Sequence, residues 1–251
     1  MIRIADIELE SAWQGPPRDG GPELVLLHEG LGSVAQWRDV PARLGRPALV
    51  YSRQGYGQSS PVAVPRPLTY MHDEAARLPA ILAAERVVDP ILVGHSDGAS
   101  IAIIAAGSGA VRPRGLVLIA PHVFVEDISV ESIAKARDAF LEPSGSLRPK
   151  LARYHADVDG AFWGWNRAWL DPGFRSWNIS EYVPAIRVPI LVVQSSADEY
   201  GTMAQVDAIP QADRLIVDGA GHSPFREPSV VAEIAVRIGR MAAIGRANSG
   251  S

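Results

Sequence analysis

Asp89-Pro90-Ile91-Leu92-Val93-Gly94-His95-Ser96-Asp97-Gly98-Ala99-Ser100-Ile101-Ala102-Ile103-Ile104-Ala105-Ala106 is the stretch on which the fold turns. Its first part is a short β-branched apolar run that reads as a buried strand. Its last part is an alanine-rich run that reads as a buried helix. The G-x-S-x-G pentapeptide at 94–98 joins the two. A serine at so sharp a turn is pushed out at the carboxyl edge of a sheet, and the flanking glycines leave room for strained backbone and close strand–helix approach. That is the placement a serine nucleophile needs.

Further strands are expected at 2–9, 23–28, 48–52, 91–94, 115–120, 189–194 and 214–218, most of them apolar at every position. Helices are expected at 36–44, 71–87, 99–107, 129–141 and 228–241, the last with Val230, Ile234, Ile238 and Met241 at helical spacing behind Pro228. Strands alternating with helices imply an α/β fold with a mostly parallel, doubly wound sheet covered on both faces. The alternation breaks over 122–187, where an aromatic cluster of Phe162, Trp163, Trp165, Trp169, Phe174 and Trp177 holds four of the six tryptophans. An insertion there would lie over the carboxyl edge as a helical lid, its aromatics either gluing lid to body or lining an apolar pocket. The expected organisation is therefore a core of 1–121 and 188–245, a lid at 122–187 and a disordered tail at 246–251.

Composition excludes several classes. At 251 residues and 47% hydrophobic the chain can bury one large core. A net charge of −4 recommends neither nucleic acid nor an anionic membrane as partner. The absence of cysteine removes disulfides, thiolate metal sites and a cysteine nucleophile. Lys135 and Lys150 are the only lysines, which disfavours a Schiff base. The histidines show no His-x-x-x-His pairing, so no metal and no cofactor is expected. Without a signal-like or membrane-length apolar stretch, the expectation is a cytoplasmic protein, monomer or homodimer, acting on a small molecule.

A serine hydroxyl needs a base, and the base needs a carboxylate to fix its tautomer. Asp198 follows the strand at 189–194 and His222 follows that at 214–218, both on the carboxyl edge shared with Ser96, in the order Ser…Asp…His. Glu126, Asp127 and Glu199 are rival acids. Among the other histidines His28 and His95 read as structural, His72 and His155 as surface positions, and His122 as a residue that could face the pocket. His28-Glu29-Gly30-Leu31-Gly32-Ser33 follows a strand, and its small residues let backbone N–H groups converge on an oxyanion. Gly30 or Leu31 would supply one donor and Asp97 the other. Expected pocket residues are Glu29, His122, Phe124, Trp163 and Trp165. With only Arg167 and Arg175 near the aromatic core, a hydrophobic acyl group is expected over phosphorylated or CoA-linked substrates.

A dinucleotide fold is the rival reading of this loop. Gly30-Leu31-Gly32-Ser33-Val34-Ala35 satisfies G-x-G-x-x-A, with Arg53 about 20 residues on, where an NADP-binding arginine would lie. Against it, the glycines do not open the domain, no tyrosine precedes a lysine by four residues, and Ser96, Asp198 and His222 go unexplained.

Together these motifs resemble the α/β-hydrolase superfamily over nearly the whole chain. Residues 28–33 resemble its oxyanion loop, Tyr51-Ser52-Arg53-Gln54-Gly55-Tyr56-Gly57-Gln58-Ser59 its strand-to-loop signature, 94–98 its nucleophile elbow, and Gly221-His222 its histidine loop. Glu29 departs from the pattern, standing where glycine is common. Relatives such as haloalkane dehalogenases and epoxide hydrolases carry aspartate where this chain has Ser96, and Asp97 lacks the flanking glycines to replace it. The resemblance therefore implies an esterase-like serine hydrolase acting on a small hydrophobic ester, with lactone, thioester or C–C hydrolysis as alternatives. A small-molecule receptor on the same scaffold is the alternative of another class.

Overall fold

The computed structural model of the protein describes residues 1–244 except 19, 21 and 22, so the expected tail at 246–251 lies outside the described residues. The strands are β1 (Ile2–Ile4), β2 (Ile7–Leu9), β3 (Ser11–Gln14), β4 (Leu24–Leu27), β5 (Ala48–Tyr51), β6 (Ile91–His95), β7 (Gly115–Ile119), β8 (Ile190–Ser195) and β9 (Asp213–Val217). The helices are α1 (Val40–Arg43), α2 (Tyr70–Ala84), α3 (Asp97–Gly107), α4 (Asp127–Leu141), α5 (Leu147–Leu151), α6 (Val158–Leu170), α7 (Met203–Asp207) and α8 (Pro228–Ile244). Seven strands make one sheet in the order β3-β5-β4-β6-β7-β8-β9, antiparallel only between β3 and β5.

Alternation along the strands divides the interior into two cores. Val25 and Leu27 of β4, with Leu92 of β6, join the cluster under α2 and α3. Leu24 and Leu26, with Ile91 and Val93, join the cluster under α1 and α8. Successive side chains point to opposite faces, so a strand covered on both sides must be apolar throughout. All four residues of β4 are accordingly buried, whereas edge strand β9 is exposed at three of five positions.

Two local expectations are corrected. Residues 2–9 do not form one strand; the chain reverses at Ala5-Asp6, with Ala5 at φ 52°, and Ile4 pairs with Ile7. Residues 36–44 do not form one helix. A 3₁₀ turn over Val34–Trp37 ends at Arg38, with φ 53°, before α1 begins. Pro41 has no N–H for a bond to Trp37 and its ring would clash there, so the helix cannot run through.

Between β7 and β8 the chain is helical, carrying α4, α5, α6 and two 3₁₀ turns. Its two ends meet in a one-pair antiparallel bridge, Phe124 with Asn178, where the Ile179 N–H donates to the Val123 carbonyl at 2.8 Å. Inside the segment Phe140 stacks on Phe162 at 3.7 Å, and Trp163 meets both edge-on.

The start of α3 rests directly on the sheet. A Cβ on Gly94 would run into the backbone of Gly98 and Ala99, and one on Gly98 would run into the Leu27 and His28 carbonyls. Neither backbone can move without dragging a central strand. Gly98→Ala is therefore expected to destabilise the fold by about 1–3 kcal/mol or more, read as a lowered midpoint in urea denaturation; an unchanged midpoint would show that the contact is slack.

Candidate active site

Ser96 stands at the tip of the turn between β6 and α3 with φ 54° and ψ −119°, backbone that a residue with a Cβ adopts only under constraint. Both sides of it are fixed. Its N–H donates to the Ile119 carbonyl at 2.9 Å, and its own carbonyl accepts from Ala99 N and Ser100 N at 2.8 and 3.1 Å. Asp97 and Gly98, as the first helical residues, have N–H groups with no intrahelical carbonyl one turn back, and these make up the helix's positive end.

His222 and Asp198 come together across the ends of β8 and β9. His222 Nδ1 lies 2.8 Å from Asp198 Oδ1 and 3.0 Å from Oδ2. The carboxylate also accepts from Tyr200 N at 2.8 Å and from Gln194 Nε2 at 2.9 Å. Burial alone would raise the Asp198 pKa; the hydrogen bond and charge of His222, with the Tyr200 N–H, outweigh it and hold the group below the ordinary aspartate value. The rival acids are occupied elsewhere. Glu126 accepts from Thr202 and Gln205, Asp127 pairs with Arg175, and Glu199 takes the backbone N–H of His222 rather than its ring. His95 bonds the His222 carbonyl at 2.8 Å and so holds the loop from below.

The loop after β4 is tied to the turn after β6 by Arg53, which is fully buried. Its Nη2 donates to the Glu29 carbonyl at 2.8 Å and lies 3.7 Å from Asp97 Oδ2. Its N–H donates to His28 Nε2 at 2.9 Å, leaving His28 Nδ1 to donate to the Glu29 carbonyl at 2.7 Å. Burial and the Arg53 charge keep His28 well below the ordinary histidine pKa, consistent with that neutral tautomer. Asp97 further accepts from Tyr70 Oη at 2.7 Å and Trp169 Nε1 at 3.3 Å. Its pKa is nonetheless raised, since desolvation outweighs Arg53 and these donors.

A cavity of about 340 Å³ opens beside Ser96. Glu29, Gly30, Leu31, Asp97, His122, Trp165 and His222, all expected at the site, line it together with Ser96, and Asp198 stands behind His222. Two expected pocket residues do not. Phe124 is held in the bridge to Asn178, and Trp163 packs on Phe140 and Phe162 with Arg167 over its ring. Their places are taken by Ile133, Leu147, Leu151 and Trp169, so two helices besides α6 contribute to the wall. A larger recess of about 890 Å³, near Val183, Pro210 and Ile244, contains none of these groups.

Of the other histidines, His155 differs from expectation and His122 faces the pocket as expected. His155 is buried, not a surface position: Gly57 N donates to its Nδ1 at 2.9 Å, and its Nε2 bonds the Leu31 carbonyl at 3.0 Å. His122 lines the cavity, but burial, with the neighbouring His222 charge, pushes its pKa down to about 3. The Glu29 carboxylate lies 3.4 Å from His95 Nδ1; burial would raise it, but the His95 bond and charge hold it at about 2. Reasoning from sequence also missed Gln36, Tyr200 and Arg226 in the lining. Arg226 lies four residues beyond His222, which is the one signal that could have found it. Arg167 and Arg175, on which the low-charge expectation rested, do not line the cavity.

Comparison with known proteins agrees with this architecture. The alpha/beta hydrolase family model matches residues 24–234. No curated protein matches the chain by sequence. Among solved structures, the esterase RhEst1 from Rhodococcus sp. ECU1013 superposes with a TM-score of 0.73 at 19% identity, covering 96% of this chain and 98% of that one. A carboxylesterase structure from Nitrososphaera gargenis gives 0.76 at 15% identity, covering 98% and 99%. The enol-lactonase from Burkholderia xenovorans LB400 gives 0.73 at 19% identity, covering 93% and 97%. At these identities the likeness is one of fold.

Removing Arg53 would strand the Asp97 carboxylate. Arg53→Met is expected to cost about 3–5 kcal/mol, the scale of breaking one side of a buried pair, and Asp97→Asn a comparable amount, since it leaves the guanidinium uncompensated and its single amide oxygen can replace only one of the two carboxylate oxygens that accept from Tyr70 and Trp169. A loss below about 1 kcal/mol in either variant by calorimetry would contradict this. Asp198 gives a pH signature. Its folded pKa lies below the unfolded value, so its contribution is complete above about pH 4 and is lost as the pH falls through the lower folded value. The stability gap between the parent and Asp198→Asn should accordingly close in acid; a gap that widens there would refute the assignment.

Proposed function

The chain belongs to the alpha/beta hydrolase family, and on that premise we propose that it is a serine hydrolase cleaving carboxylic esters of hydrophobic acids through an acyl-enzyme on Ser96. The observation that carries this reading is the juxtaposition of a strained, cavity-facing serine with a histidine whose far nitrogen is bound to a buried carboxylate. Asp198 fixes the His222 tautomer, leaving Nε2 to take the Ser96 proton. His122 is a poor rival base, because a group held at about 3 has almost no affinity for that proton at neutral pH.

In the forward step Ser96 Oγ bonds the acyl carbon as its proton passes to His222. The tetrahedral oxyanion is met by the Asp97 N–H and by that of Gly30 or Leu31. Collapse breaks the bond to the leaving alcohol, which takes the proton from His222. Water, activated by the same imidazole, then attacks the acyl-enzyme, releasing the carboxylic acid and restoring Ser96. Ile133, Leu147, Leu151, Trp165 and Trp169 form an apolar wall suited to the acyl chain, with α4, α5 and α6 acting as a lid.

A serine-directed organophosphate should label Ser96 in mass spectrometry, and Ser96→Ala should lose about 10⁴-fold or more in kcat with the fold intact. Label on another residue, or full activity in the variant, would end the assignment. Across p-nitrophenyl esters kcat/KM should climb with chain length, by up to about 0.8 kcal/mol per methylene, until the cavity fills. Trp165→Ala should flatten that climb and Trp163→Ala should leave it, because only Trp165 lines the cavity. A lactone of matched size belongs in the panel, and faster lactone turnover would move the reading to that bond.

A further inference from the structure

Next to the Ser96 cavity is a second recess of about 310 Å³, lined by Gln36, Arg38, Lys150, Arg153, Tyr154 and Arg226. Four of these six are cations, and they arrive from three separate parts of the chain: the turn after β4, the end of α5 with the residues after it, and the 3₁₀ turn after His222. No carboxylate among the described residues lines the recess. Among the described residues none of the four is in an ion pair, although Arg148, two residues from Lys150, is bridged to Asp159, and Arg214 is bridged to Asp207. Four like charges gathered without counterions, in a chain of net charge −4, make a local positive field with no structural use in the fold.

Gln36 and Arg226 line both this recess and the Ser96 cavity, so the two spaces adjoin. One molecule can therefore reach both. Planar guanidinium forks suit phosphate oxygens, and a lysine adds a mobile point charge. We propose that this recess binds a phosphate-bearing leaving group, so that the substrates are acyl esters or thioesters of a phosphorylated alcohol or thiol. The proposal rests on the acyl-transfer reading above and replaces the expectation that phosphorylated and CoA-linked substrates are disfavoured. In the step it implies, Ser96 Oγ bonds the acyl carbon, the C–O or C–S bond breaks, and the phosphate-bearing alcohol or thiol leaves with the proton from His222. Water then returns the acyl group as a carboxylic acid.

Two measurements test it separately. Calorimetry at low salt measures inorganic pyrophosphate and citrate binding to the parent, to Lys150→Glu/Arg153→Glu and to the milder Lys150→Gln/Arg153→Gln. Pyrophosphate should bind the parent about tenfold or more tightly than either variant, the scale of one charge-assisted hydrogen bond, and more tightly than citrate. Kinetics compare butyryl-CoA with butyryl-pantetheine, which has the same thioester and no phosphate. The ratio of their kcat/KM values should exceed about ten at low salt, shrink as salt screens the charges, and fall toward one in both variants. A ratio near one in the parent, a ratio retained in the variants, or citrate binding as tight as pyrophosphate would overturn the proposal. Pyrophosphate binding that depends on Lys150 and Arg153, with no turnover of any ester or thioester, would instead refute acyl transfer while supporting the recess as a phosphate site.

Discussion

A guanidinium with no exposure to solvent is the constraint on which the site depends. Burying a charge is costly unless partners replace its water, and removing one partner leaves that cost standing. Arg53 meets the requirement in part: Nη2 reaches the Asp97 carboxylate and the His28 and Glu29 carbonyls and the Tyr56 ring lies against the guanidinium, while among the described residues Nε and Nη1 have no hydrogen-bond partner. The carboxylate and the two carbonyls belong to the two backbone segments that would supply the oxyanion donors. Asp97 in turn needs Tyr70 of α2 and Trp169 of α6. One buried pair thus fixes the loop after β4, the start of α3 and the inserted helices relative to each other, and none of them can shift alone.

The strain at Ser96 is tolerated for the same reason. A left-handed non-glycine residue costs on the order of 1–3 kcal/mol and persists only where its surroundings over-determine it. Here β7 holds the serine N–H, the first turn of α3 holds its carbonyl, and two glycines let that helix touch the sheet. The histidine loop is held comparably, by Asp198 on its ring and by His95 on its carbonyl. The candidate reacting groups are therefore positioned by contacts within the protein itself, which is the condition for electrostatic preorganisation.

The parallel sheet was legible because double coverage forces continuous apolar runs, as in Leu24-Val25-Leu26-Leu27, Ile91-Leu92-Val93, Leu116-Val117-Leu118-Ile119 and Ile190-Leu191-Val192-Val193. Ser96 and Asp198 were legible as candidates because each follows such a run, and His222 because it follows the half-exposed edge strand β9 at the same sheet edge. Arg53 shows where reading stopped. At about 20 residues beyond the glycine pattern it imitates a cofactor-binding arginine, yet its partners come from segments whose approach depends on β4, β5 and β6 being neighbours. The cavity wall was opaque for a related reason. Trp163, Trp165 and Trp169 share one helix, and only the rotation of α6 decides that Trp163 packs outward on Phe140 while the other two face Ser96. Composition could name the aromatic helix but not its angle.

Charge placement separates two kinds of selection at this site. Around Ser96 the aliphatic and tryptophan side chains of α4, α5 and α6 share the lining with Glu29, Asp97, His122, His222 and Arg226, and under the proposed reaction contact with the apolar part would decide which acyl chain fits. Arg38, Lys150 and Arg153 are exposed, and their charges remain hydrated. Hydrated cations act over roughly a Debye length, about 10 Å at 0.1 M salt, without the desolvation cost that a cation inside the cavity would carry. On the proposed reading an anionic group would be drawn in and anchored at the rim while the acyl chain enters the cavity beyond it. Had Arg38, Lys150 and Arg153 lined the cavity as well, they would have weakened its apolar contacts and competed with the proposed oxyanion donors. Keeping those three one recess away leaves the candidate reacting centre with Arg226 alone of the four, and Arg226, common to both spaces, is where the two proposed forms of recognition would meet.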